Sequence, residues 1–177
     1  MNIHYGTVTL RAIEESDLPF CREMINSSYL EGCTVGTNLP VSEDEQRAWF
    51  QNHNRQNEIR LMIENKNGPI GMIMVTKIDW INRSGSGGIK LGDMKKLEKG
   101  NTQDAVTGLM KYLFEELNFH CIYASVLEDN LLSRRILIDH GFTEEGVLRG
   151  RVFKRGAYRN LISYSMLSEE YMERIQR

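Results

Sequence analysis

Along this chain the spacing of apolar residues switches between the repeat of a strand and that of a helix. Val8-Thr9-Leu10-Arg11-Ala12-Ile13 alternates apolar with polar residues, the pattern of a strand with one face in a core. Ser16-Asp17 offers a helix start, and Leu18, Phe20, Cys21, Met24 and Ile25 follow at helical spacing. Ser42 and Glu45 have the spacing of a capping box, in which each side chain bonds to the other residue's backbone N–H. The helix they open carries Ala48, Trp49 and Phe50 inward and breaks near Asn54.

The middle of the chain predicts a meander of strands over residues 59–64, 69–79 and 86–91. Turns at Asn65-Lys66-Asn67-Gly68 and Ile81-Asn82-Arg83-Ser84-Gly85 separate them. A lysine-rich loop follows, from Gly92 to Gly100. Ala105, Val106, Leu109, Met110, Leu113, Phe114 and Leu117 then make the apolar stripe of an amphipathic helix ended by Asn118. A short strand over 121–127 leads to a helix over 130–139, closed by Gly141 in position for a left-handed C-terminal cap. Two last strands, 143–153 and 158–166, are joined by Lys154-Arg155-Gly156-Ala157. This order describes a single α+β domain over 1–177, a mixed sheet with helices on both faces.

Composition narrows the function classes. The chain has 177 residues and a net charge of −2, so nothing global points to nucleic acid or a membrane. No stretch approaches the ~18–20 apolar residues that a spanning helix needs. Its first six residues have neither a basic start nor an apolar run, so a cytoplasmic protein is the expectation. Cys21, Cys33 and Cys121 show no metal-binding spacing and read as reduced thiols, with Cys121 in the core. Arg149, Arg151, Lys154, Arg155 and Arg159 crowd one segment, either a solvated hairpin tip or an edge that faces phosphate.

Two junctions offer chemistry. Between the strand ending near Leu91 and the helix starting near Thr102, Gly100 permits close approach to a helix start. The unpaired N–H groups and dipole of that start favour an anion. At the second junction, Asn130 stands where a strand passes into a helix, an N-cap position.

Taken in order, these segments resemble the GNAT superfamily of acyl-CoA-dependent N-acetyltransferases. The branch it looks most like holds the ribosomal-protein N-terminal, spermidine and nucleotide-aminosugar acetyltransferases. The resemblance runs from about Val8 to Met172. It is carried by Leu10-Arg11 with Asp17, Trp49, Pro69-Ile70-Gly71 and Ile78-Asp79-Trp80-Ile81-Asn82-Arg83-Ser84. Further on come Asn130-x-x-Ser133-x-Arg135 with Gly141-Phe142, and Glu144-Glu145-Gly146-Val147-Leu148-Arg149 before Gly156-x-Tyr158.

The resemblance implies a mainly antiparallel sheet and acetyl-CoA as acyl donor, with no metal. Leu97-Glu98-Lys99-Gly100-Asn101-Thr102 falls on the family's phosphate loop. Ile89, Lys90 and Leu91 fall on the strand that would splay to admit the pantetheine arm. Asn130 and Arg135 fall on donor-contacting positions. Ser133 falls where some relatives place a hydroxyl that protonates the departing thiolate. The resemblance also leaves room for a homodimer.

The departures bear on the acceptor. Leu97 and Thr102 replace a basic or amide residue and a second glycine, Leu137 replaces a tyrosine acid, and Ser86 stands where a glutamate base is frequent. Serine is no base near neutral pH. An α-amine with a pKa near ~8 is largely neutral on its own, whereas an alkylamine near ~10.4 is not. An amino sugar, nucleotide-linked or free, or an α-amine is therefore expected over a polyamine. Protein N-terminal, polyamine and antibiotic acetylation are the rival reactions, and a catalytically weak acyl-CoA-binding module is the rival from another class. Asp79, His120, Glu128 and Tyr164 are further candidates for proton transfer. Tyr158 and Tyr164 are candidates to line a small-molecule or peptide amine site.

Overall fold

Alternation along the strands gives the sheet two different apolar faces. In the computed structural model, which describes residues 2–36, 39–52, 56–92 and 95–176, β3 (Ile59–Asn65) and β4 (Gly68–Asp79) pair with Met62 opposite Met72 and Leu61 opposite Ile73. Successive side chains point to opposite faces, so Met62, Met72 and Met74 share one side. There they form a buried cluster with Cys21 and Met24 of α1 (Leu18–Ile25), Leu30 of α2 (Ser28–Cys33) and, at its margin, Trp49 of α3 (Glu43–Gln51). The other face carries Ile63, Ile73 and Val75 into the main core. Leu10 of β2 (Val8–Arg11) and Ala105, Leu109 and Leu113 join them there.

Eight strands lie in the order β1 (Ile3–Tyr5), β2, β3, β4, β5 (Ser84–Leu91), β6 (Cys121–Leu127), β8 (Ala157–Leu167) and β7 (Thr143–Lys154). Every neighbouring pair is antiparallel except β5 and β6, which are parallel and joined through α4 (Asn101–Lys111). A parallel pair needs such a crossover, and it brings the ends of both strands, with the helices that follow, to one edge of the sheet. The mainly antiparallel α+β sheet with helices on both faces is as expected.

Local signals are met in detail. Glu45 N–H donates to Ser42 Oγ at 3.2 Å and Ser42 N–H to Glu45 Oε2 at 2.8 Å, closing the capping box. Gly141 adopts φ +86° after α5 (Leu131–Asp139), as a left-handed cap requires. The hairpin between β7 (Thr143–Lys154) and β8 (Ala157–Leu167) turns through Arg155 and Gly156, both at positive φ.

Three elements are additional to the sequence expectation: β1 (Ile3–Tyr5), α2 and α6 (Ser168–Ile175). β5 starts at Ser84, two residues earlier than expected, and α4 widens into a π turn over Tyr112–Glu116. The expected break near Asn54 lies outside the described residues; α3 ends at Gln51.

Candidate functional site

A cleft opens where β5 and β6 part. They pair at Ser84, Gly85 and Ser86 against Cys121, Ile122 and Tyr123, and among the described residues the pairing ends there. Beyond that point β5 stays on β4 as far as Leu91 opposite Gly71, while β6 stays on β8 as far as Leu127 opposite Leu161. Ile89, Lys90 and Leu91 therefore lie on an edge with no strand beside it. Backbone groups on such an edge are free to bond an extended ligand.

The chain from that edge runs into the start of α4. Gly100 caps this helix at φ +95°, and the space a Cβ would take there is open. Asn101 is fully buried and its carboxamide is spent inside the protein. Its Oδ1 accepts from Asn65 Nδ2 at 2.9 Å and from Glu98 N–H at 2.8 Å, and its Nδ2 donates to Thr7 Oγ1 at 2.8 Å. Thr102 is also buried, so its methyl and hydroxyl turn into the fold rather than across the loop's mouth. The Glu98 carboxylate is neutralised by Lys66 at 3.1 Å, and Lys99 is exposed. The side chains of Asn101 and Thr102 are thus not presented to a ligand, and the Asn101 N–H donates to Glu98 O at 3.1 Å.

Across the cleft stands the start of α5. Asn130 Oδ1 accepts from Ser133 N–H at 3.2 Å, the N-cap bond expected, and its Nδ2 donates to Cys33 O at 3.1 Å. Ser133 is partly exposed on the first turn. Arg135 points away: it is exposed, and its Nε bonds Asp139 Oδ2 at 3.0 Å one turn on. The loop before α4 and the start of α5 thus share one edge of the sheet, with Arg135 turned to solvent.

The other proton-transfer candidates have structural work. Asp79 accepts from the N–H groups of Ile81 and Asn82 at 2.9 Å each; these bonds and one from the Asn82 side chain hold its carboxyl below the usual range. Glu128 is held by the Asn160 backbone and side chain at 3.1 and 2.9 Å. Tyr164 is fully buried, bonded to Glu144 Oε2 at 3.0 Å and Arg134 Nε at 3.1 Å, so it does not line an acceptor site. Tyr158 is exposed and packs edge-on against Phe153. His120 is exposed, 3.5 Å from Ser168 Oγ, and Cys121 is half-buried with its thiol pushed up mainly by burial. The basic hairpin is not wholly solvated. The buried Lys154 ammonium donates to Glu31 Oε1 at 2.6 Å, Glu31 O at 2.8 Å and Gly36 O at 2.6 Å, pinning α2.

Sequence reasoning missed a cavity of about 350 Å³ on the methionine face, between α1, residues 39–41, α3 and the sheet. Arg60 and Lys90 line it among Cys21, Met24, Trp49 and Met72. The signal was present: Arg60 alternates with Leu61 and Ile63 and therefore points to the same face as Met62.

The GNAT acetyltransferase domain family matches residues 7–143, more than half of the chain. The SPbeta prophage-derived uncharacterized N-acetyltransferase YokL of Bacillus subtilis is 27% identical over 176 residues, 97% of each chain. A spermidine N-acetyltransferase from Vibrio cholerae, crystallised in complex with CoA and spermine, is 27% identical. It covers 94% of this chain and 98% of its own, with a TM-score of 0.87. RimL, a ribosomal L7/L12 α-N-protein acetyltransferase solved with coenzyme A, is 21% identical with a TM-score of 0.85 over 94% of this chain, a likeness of fold. A family match across most of the sheet, together with a parted strand pair that leads to a helix start, leaves one assignment: this chain belongs to the GNAT acetyltransferase family and is an N-acetyltransferase.

Proposed function

We propose that the cleft between β5 and β6 takes acetyl-CoA and that a primary amine attacks its acetyl group directly. The observation that carries this reading is the parting of the two strands after Ser86 and Tyr123, with the open edge of β5 leading to the Gly100 cap of α4. The residues present suit the donor. An open space at Gly100, a buried Thr102 and an Asn101 anchored from behind leave the backbone N–H groups of Lys99, Gly100 and Thr102 to a diphosphate, those of Glu98 and Asn101 being bonded within the loop. CoA complexes of the Vibrio cholerae and RimL proteins support the same choice of donor.

When bound, the donor supplies a thioester carbonyl that a neutral amine can attack. Backbone N–H groups on the open stretch around Leu91 would polarise that carbonyl. Asn130 would steady the arm of the donor only through what its two internal bonds leave free. The Ser133 hydroxyl would give a proton to sulfur as the C–S bond breaks and recover one from water. The amine loses its own proton to solvent.

The acceptor is read as an α-amine or the amine of an amino sugar. Ser86 supplies no base, and Asp79 and Glu128 are held in hydrogen bonds. A second reading, a polyamine, is favoured by the likeness to the Vibrio cholerae enzyme solved with spermine. Calorimetric titration with acetyl-CoA, followed by thiol release across α-amines, amino sugars and spermidine, tests both steps. Heat on titration and fastest turnover of an α-amine or amino sugar are expected. No heat and no thermal protection would refute the donor site; spermidine as the fastest acceptor would refute the first reading of the acceptor. Binding without turnover of any amine would instead describe an acyl-CoA-binding module.

A further inference from the structure

The cavity under α1 and α3 holds more positive charge than its walls balance. Arg60 lies opposite Met74 and Lys90 opposite Met72 in the β3–β4–β5 registers, so both cations leave the sheet from the methionine face into this space. Arg60 is held on three sides: Nη2 donates to Glu58 at 2.7 Å, Nη1 lies 3.1 Å from the Met74 sulfur, and the Trp49 ring centroid is 5.7 Å from its guanidinium carbon. Its Nε is buried and has no hydrogen-bond partner among the described residues. A buried donor without an acceptor is costly, and native proteins seldom keep one without a use.

Lys90 adds a second cation and has no ion-pair partner among the described residues. Burial, and then the charge of Arg60, lower its pKa, and the Glu58 carboxylate nearby is engaged by Arg60. The carboxylate in the wall, Glu45, already caps α3 through Ser42 N–H and Oγ at 2.8 Å each. Lys90 also lies on the stretch of β5 that has lost β6, so the cavity and the cleft flank the same strand segment.

We propose that the cavity binds an anionic oxygen group of the acceptor, a carboxylate or phosphate, which pairs with Lys90 beside the Arg60 guanidinium. The enzyme's acceptors are then amines that carry an anion, and free polyamines are repelled. This rests on the reading that amines are acetylated in the adjoining cleft. The apolar walls of Cys21, Met24, Trp49 and Met72 lower the local dielectric and strengthen any such pairing.

Acceptors that share an amine but differ in charge provide the test. Glucosamine 6-phosphate against glucosamine is one pair, and Ala-Glu amide against Ala-Gln amide is another, with spermidine alongside. The expected result is a kcat/KM at least ten-fold higher for the anionic member of one pair, falling towards equality in Arg60→Met and in Lys90→Met. A thermal shift with acetyl-CoA shows which variants are folded, and Arg60→Gln or Lys90→Gln replaces the one at that position that is not. If no amine turns over, inorganic phosphate is expected to raise the Tm of the wild type and not of Lys90→Met. Equal kcat/KM within both pairs, a ratio unmoved by the variants, or preference for spermidine would overturn the proposal. Failure to bind acetyl-CoA would instead overturn the donor site on which it rests.

Discussion

Asn65 and Asn101 meet carboxamide to carboxamide at 2.9 Å inside the protein, 36 residues apart in sequence. The same Asn65 Nδ2 also donates to Lys96 O at 2.9 Å, so β3 holds both ends of the loop that precedes α4. Asn101 therefore shapes the loop proposed to take the diphosphate while its own side chain is spent inside the protein.

Replacing Asn101 by Ala would strand Glu98 N–H and take one of two partners from Asn65 Nδ2 and from Thr7 Oγ1. Leaving a buried group unsatisfied costs ~1–3 kcal/mol, and a loss of stability in that range is expected from urea unfolding. Acetyl-CoA affinity should fall with it, because the amides of residues 98–102 lose their fixed direction. A variant that is destabilised yet binds acetyl-CoA with unchanged Kd would show that the loop's shape does not matter to the donor.

Gly100 separates strain from obstruction. Its φ of +95° disfavours any L side chain, but no atom of the protein stands within 4 Å of where a Cβ would be. Gly100→Ala should thus lose ~1–2 kcal/mol of stability from backbone conformation. Its Kd for acetyl-CoA should rise at least ten-fold, since the methyl occupies the mouth of the loop. Calorimetry on the folded variant reads the second effect apart from the first. Equal affinities would move the diphosphate away from this loop.

Much of this arrangement was legible in the chain because local chemistry decides it. The Ser42–Glu45 box, the Asn130 cap and the left-handed Gly141 each depend on residues within a few positions of one another. What stayed hidden depends on partners far off. Strand β1 exists because Ile3 finds Leu10 across a turn at Gly6, and α2 is pinned by Lys154, 123 residues later. Helix α6 did carry a local signal, Ser168-Glu169-Glu170, and Glu170 accepts from Leu167 N–H at 2.8 Å. Alternation gives the face of Arg60, but bringing Lys90 to the same cavity needs three strands in register, which no spacing rule contains.

Arg11 and Asp17, both among the residues that carry the family resemblance, form a two-pronged pair at 2.7 and 3.0 Å, with Glu64 accepting from Arg11 Nε at 2.7 Å. Burial pushes the Asp17 carboxyl up, but the Arg11 bonds and the Glu14 N–H outweigh it and leave the pKa below its usual 3.8. The folded chain therefore binds fewer protons here than the unfolded chain. Its contribution is complete above that usual value and is lost as pH falls through the lowered one. Asp17→Asn should cost ~1–3 kcal/mol at pH 7, since Arg11 keeps Glu64 as a partner. The gap between wild type and variant should narrow below pH ~4. Urea midpoints at pH 7 and pH 3 measure it, and a gap independent of pH would mean that packing, not charge, is what Asp17 supplies.

The pH dependence of turnover decides where the amine proton goes. Serine stands at position 86, and Asp79 and Glu128, the two carboxylates considered as bases, are engaged in hydrogen bonds. The reactive species is then the neutral amine already present in solution, so log kcat/KM should rise with unit slope and level off at the amine's own pKa. Two acceptors whose pKa values differ by about one unit should give profiles displaced by about the same amount. A side-chain base would behave otherwise, imposing one inflection on every acceptor. Were such a common inflection found, the base would belong to the protein, whereas profiles that track each acceptor leave the chemistry to solvent and the enzyme's part to positioning.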